Sequence, residues 1–92
     1  MKVKVKLLAN FRDLFGAREK DIVLPATGRL RELLDVLCDT PGRRDQVLTP
    51  AGELNPHVVI MKNGMPAQSL GGLDMPLEDG AVVAVFPFLG GG

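Results

Sequence analysis

Apolar and polar positions alternate from Lys2 to Leu7: Val3, Val5 and Leu7 fall on one face, Lys2, Lys4 and Lys6 on the other. That period of two predicts a strand with one buried face. Asn10 to Gly16 then bends the chain with Phe11, Leu14 and Phe15 turned inward. Glu19 to Leu24 predicts a second strand, Ile22 and Leu24 opposite Val23, and the short connection predicts a hairpin. The period changes at Leu30. Leu30, Leu33, Leu34, Leu37 and Cys38 fall at i, i+3, i+4, i+7 and i+8, the stripe of an amphipathic helix. Thr27 is expected to cap its start and Pro41-Gly42 to stop it.

Arg43 to Asn55 is polar and turn-rich, a loop or a segment with one short extra turn. His57 to Lys62 predicts another strand, turned by Asn63-Gly64, a strong hairpin signal. Gly71-Gly72 and Asp79-Gly80 punctuate a long connection. Ala81 to Phe86 is apolar at every position, as expected of a central strand buried on two sides and lying beside the first. These elements imply an α+β fold, a mixed sheet of about four to five strands crossed by one main helix: a single β-grasp, ubiquitin-like domain over residues 1–87. Residues 88–92 are expected to form a flexible tail.

Length and composition narrow the function. Ninety-two residues hold one domain, and eleven acidic residues balance eleven basic ones, which argues against a dedicated nucleic-acid binder. The charges are nevertheless uneven, because every Lys and Arg lies at or before Lys62 and the last thirty residues carry only Asp74, Glu78 and Asp79. The single cysteine, Cys38, cannot form an internal disulfide. The alternating N-terminus is unlike a signal peptide, and the apolar stretch from Ala81 to Leu89 is about half of what spans a bilayer. A soluble, cytoplasmic protein without membrane or nucleic-acid partners is expected. Cys38 lies on the apolar helix stripe, His57 opens a strand, and no Cys/His cluster or glycine-rich phosphate loop is present. The internal residues therefore do not point to an enzyme, nor to a bound metal or cofactor.

The C-terminus does carry chemistry. Three of the eleven glycines are the last three residues, behind Phe88 and Leu89. At a usage of about 7%, such an ending arises by chance in roughly 0.03% of chains. Five residues after Pro87 reach at most about 17 Å. Glycine backbone can thread a narrow channel, and a carboxylate there becomes an acyl donor once activated by ATP. A frayed terminus is the alternative from the tail alone.

Two segments resemble the MoaD/ThiS family of ubiquitin-like sulfur carriers. One is Val58-Val59-Ile60-Met61-Lys62-Asn63-Gly64. The other runs from Gly72-Leu73-Asp74 through Pro76-Leu77-Glu78-Asp79-Gly80 into Val82 to Pro87 and the glycines. Leu8 to Leu14 is similar to the start of MoaD proteins. Family tails commonly place a small residue before a final glycine pair, so Gly90 matches the small residue and Gly91-Gly92 the pair, while Phe88 stands where a second proline is frequent.

The resemblance implies a carrier, not itself an enzyme and with no bound cofactor. Gly92 would be the site of adenylation and thiocarboxylation, Gly90 and Gly91 would thread the partner's channel, and Phe86, Pro87, Phe88 and Leu89 would dock. The implied partners are a ubiquitin-activating-type adenylyltransferase that uses ATP, a persulfide sulfur donor, and the large subunit of molybdopterin synthase or an equivalent acceptor. The MoaD role is favoured by length. Thiamine or cysteine biosynthesis, protein modification through isopeptide bonds, and a plain interaction domain are the alternatives.

Overall fold

The computed structural model describes residues 1–88. Five strands form one mixed sheet in the order β2-β1-β5-β3-β4. These are β1 (Lys2–Leu7), β2 (Glu19–Val23), β3 (Val58–Lys62), β4 (Met65–Pro66) and β5 (Val82–Pro87). β1 and β2 form the expected antiparallel hairpin, with Val3 opposite Ile22. β5 runs parallel to β1, Leu7 opposite Val85, and antiparallel to β3, Ile60 opposite Val85. This is the β-grasp arrangement.

Three short helices accompany the sheet: α1 (Phe11–Phe15), α2 (Leu30–Leu37) and α3 (Pro41–Val47). The stripe of α2 is buried along its whole length, Leu30, Leu33 and Leu34 completely. They join Val3, Val5, Leu7, Val83 and Val85 from the sheet in one continuous core. Gly16 ends α1 in the left-handed conformation (φ 71°), where a Cβ would be strained.

Two boundaries differ from the sequence expectation. α2 begins after Arg29, not Thr27: the Arg29 amide donates to Glu32 Oε2 at 3.0 Å, and the Leu30 amide donates to the carbonyl of Met75 at 3.0 Å. A local cap from Glu32 and a carbonyl forty-five positions away thus fix the start in place of Thr27. Pro41-Gly42 does not merely stop a helix, because Pro41 is the first residue of α3. Thr40 caps it by accepting from the Arg43 amide at 3.2 Å. Proline suits a first helical position, where its missing N–H costs nothing.

The Asn63-Gly64 turn joins β3 to β4 with both residues at positive φ, 50° and 83°, matching the twist of a two-residue hairpin. Asn63 also latches the hairpin to β5: its amide donates to Val82 O at 2.8 Å, and its Oδ1 accepts from the Val82 amide at 3.0 Å. Replacing Asn63 by Ala removes that acceptor and leaves a Cβ-bearing residue without compensation at positive φ. We expect a loss of about 1–2 kcal/mol, measured by chemical denaturation.

One face of the sheet carries the helices; the other is open. β5 alternates accordingly, with Val83 and Val85 fully buried and Val82, Ala84 and Phe86 half-buried. The expectation that this strand is buried on both sides therefore holds for one face only. No helix among the described residues is long and apolar enough to cross a membrane.

Candidate functional site

The structure brings the root of the tail to the centre of one sheet end. β5 is the middle strand, and its last residue, Pro87, lies opposite Val58 of β3. The ladder extends one step further, the Phe88 amide donating to the carbonyl of His57 at 2.6 Å. In an antiparallel pair the bonded positions alternate, so Pro87 turns its nitrogen toward β1. On that side pairing has already ended, the last bond running from the Leu8 amide to Val85 O at 3.3 Å. A proline is tolerated there because no donor is needed, and it blocks further pairing.

A turn absent from the sequence expectations positions His57. The Asn55 side chain accepts from the His57 amide at 2.9 Å, the Asn55 carbonyl accepts from the Val58 amide, and the Asn55 amide donates to Val47 at the end of α3. The carbonyl that holds Phe88 is thus tied back to the helical layer through Asn55. Sequence reasoning placed His57 at the opening of a strand and gave no role to Asn55. An Asn-Pro-His run before a strand was the available signal.

The docking residues expected from sequence fall around this root. Phe86 is half-buried on the open face, where it pairs with Val59. Pro87 is half-buried, and Phe88 is 61% exposed. Leu89 and the glycines Gly90, Gly91 and Gly92 lie outside the described residues. Alternation adds Val59, Met61, Val82 and Ala84 to the same face, each half-buried. Beside Phe88, a groove of about 340 Å³ runs along β3 between Leu54, Pro56, Val58 and Ala67. No charged residue lines it. An apolar strip and an uncharged groove therefore flank the last described residues, Pro87 and Phe88.

The internal titratable groups do other work. Cys38 is buried, and that burial pushes its thiol up to about 11, against the opposing pull of Arg44. A thiol so rarely ionised is a poor nucleophile. The Arg43 guanidinium, 2.6 Å from Asp39, holds that exposed carboxyl below its ordinary range. The acids near the C-terminus are engaged locally: Glu78 with Lys62 at 2.8 Å, Asp79 with the Lys2 amide at 2.7 Å, and Asp74 with Arg31 at 3.6 Å. Among the described residues no group of three or more metal-ligating side chains converges.

The chain matches the ThiS family over residues 5–92, including the three glycines. It belongs to that family. Members of this MoaD/ThiS group are ubiquitin-like sulfur carriers and modifiers, and are not themselves enzymes. The chain is 32% identical over 96 residues to small archaeal modifier protein 3 of Haloferax volcanii, spanning the full length of both. Among solved structures, SAMP1 of Haloferax volcanii superposes with a TM-score of 0.86 at 25% identity, covering all of both chains. A putative molybdopterin converting factor subunit 1 from Pyrococcus furiosus superposes with a TM-score of 0.74 at 33% identity, over 95% of this chain and 97% of that one.

Proposed function

We propose that this protein is a cytoplasmic sulfur carrier that works through the carboxylate of Gly92. The observation that carries the reading is the placement of the tail root: a central strand, blocked from further pairing with β1 by Pro87, ends beside the apolar strip of the open face, shortly before the family-matched glycine run. A ubiquitin-activating-type adenylyltransferase binds that face and takes the glycines into its channel. A Gly92 carboxylate oxygen attacks the α-phosphorus of ATP and pyrophosphate leaves, giving an acyl-adenylate. The terminal sulfur of a donor persulfide then attacks the carbonyl carbon and displaces AMP. A second thiol of the donor cleaves the resulting acyl disulfide, forming a disulfide on the donor and freeing the thiocarboxylate.

The acceptor we favour is the large subunit of molybdopterin synthase, which would take sulfur for the pterin cofactor and return Gly92 as carboxylate. The 33% identity to a putative molybdopterin converting factor subunit 1 supports this branch over thiamine or cysteine biosynthesis. The 32% relative that is a modifier favours a second reading, in which the adenylated or thiocarboxylated tail is passed to lysines. Both readings share the activation step. Pyrophosphate exchange into ATP by the activating enzyme, dependent on this chain, tests that step, and no exchange above background would overturn both. Product analysis then separates them, through sulfur on the pterin or lysine-linked conjugates.

Phe88 offers a test of docking. Exposed and outside the core, it can be changed with little effect on folding, so Phe88→Asp should move the melting temperature by less than about 4 °C. Binding to the activating enzyme, read by calorimetry, should weaken at least about tenfold, the range expected for truncating an aromatic interface anchor. A large loss of melting temperature with unchanged binding would place Phe88 in the core instead.

A further inference from the structure

The two flanks of the tail root differ in chemistry, and the β1 flank is basic. Lys6 lies beside Ala84 on the open face, in register with Glu19 across the hairpin. Leu7, its neighbour, ties two arginines to the same spot: the Leu7 amide donates to the carbonyl of Arg18 at 2.8 Å, and the Leu7 carbonyl accepts from Arg12 Nε at 3.2 Å. Leu7 is itself opposite Val85, two residues before Pro87. Lys6, Arg12 and Arg18 are all exposed. None forms an ion pair among the described residues, whereas Lys2 and Lys4 are paired with Asp21 and Glu19. Among the described residues the only other acid on this flank is Asp13. Unneutralised positive charge therefore gathers at the tail end of β1, opposite the uncharged groove beside β3.

Resting on the activation reading above, we propose that Lys6, Arg12 and Arg18 form a basic rim that receives an acidic surface of the activating enzyme beside its tail channel. An apolar strip and a bound tail fix where a carrier binds but leave it free to turn about the tail. A charged flank on one side and an uncharged one on the other select a single rotation and speed encounter. Three cations interleaved with Asp13 and Glu19 are too few to hold a polyanionic backbone, so the partner is an acidic protein surface and not RNA.

The test is the association rate of the full chain with the source organism's activating enzyme, measured by stopped flow at low and high salt. Lys6→Glu with Arg18→Glu should lower the rate about tenfold and leave dissociation nearly unchanged. At about 1 M salt, where screening acts within about 3 Å, the difference should vanish. Arg12 is left intact because its Nε holds the Leu7 carbonyl. The neutral pair Lys6→Gln with Arg18→Gln should give a smaller drop of the same kind, and keeps the test valid if charge reversal disturbs the hairpin. Equal rates for wild type and both variants, an effect on dissociation alone, or duplex RNA bound in preference to the enzyme would each overturn the rim. If wild type itself supports no pyrophosphate exchange, the activation reading fails and the rim falls with it. Normal exchange with unchanged association rates removes the rim only.

Discussion

Removing Gly92 abolishes activation of this chain while leaving its fold and stability unchanged. The expectation follows from two separate physical facts. The domain is held by a core that ends at Val85, and the last described hydrogen bond to the sheet is made by Phe88. Among the described residues the core ends at Val85, and Gly92 lies four positions past the last of them, Phe88, so truncation should shift the melting temperature by less than about 2 °C. Chemistry, in contrast, depends on where the terminal carboxylate sits. An adenylating site holds the nucleophilic oxygen near the α-phosphorus within a few tenths of an ångström, and one residue of extended chain is about 3.4 Å. Loss of that residue withdraws the carboxylate from the reacting centre and should cost at least about a thousandfold in exchange rate. Gly91 then ends the chain with the same chemical group in the wrong place. Retained exchange in the truncated protein would show that the position of the carboxylate does not matter, against the reading offered here.

The second large effect is on stability. Phe15→Ala should destabilise the domain by about 3–5 kcal/mol, a large share of the roughly 5–15 kcal/mol that holds a domain together. Phe15 is 1% exposed and packs edge-to-face on Phe11 with ring centroids 6.0 Å apart. The Arg43 guanidinium lies 5.8 Å from the centre of the Phe15 ring, and Arg43 Nε donates to the Leu14 carbonyl at 3.0 Å. The ring therefore joins α1 to α3, and its loss opens a cavity that Arg43 cannot close without burying charge. At about 4–8 °C per kcal/mol for a domain of this size, the melting temperature should fall by at least about 12 °C. Pyrophosphate exchange well below the new midpoint should stay near wild type, because Phe15 is a core residue and does not line the groove beside Phe88. A loss under about 1 kcal/mol would mean that the layer closes over the gap.

The outcome for each element follows from the range of its interactions. β1 and α2 were legible because their buried positions repeat with the period of the element, and every one of Val3, Val5, Leu7, Leu30, Leu33 and Leu34 is fully buried. The Asn63-Gly64 turn was legible because the backbone there demands positive φ. α3 was not, since only Val47 and the following Leu48 are buried and a proline that starts a helix looks the same in sequence as one that ends it. Neither was the start of α2, set by Glu32 together with the remote carbonyl of Met75. The open face was misread for a related reason. Val82, Ala84 and Phe86 are apolar like Val83 and Val85, and sequence alone cannot say that one set is left only half-covered.

The candidate site divides in the same way. The glycine tail is evident in sequence because its chemistry needs no tertiary structure. The turn that holds Phe88 depends on Asn55, and the exposed cations Lys6, Arg12 and Arg18 are spread over three segments that meet at Leu7. Those features require the fold.

The most direct measurement is the intact mass of the full chain after incubation with ATP, the activating enzyme and a persulfide donor, followed by fragmentation of the C-terminal peptide. We predict a mass gain of one sulfur for one oxygen, located on Gly92 and absent when ATP is omitted. An unchanged mass with active enzymes, or a modification located anywhere other than Gly92, would contradict the account.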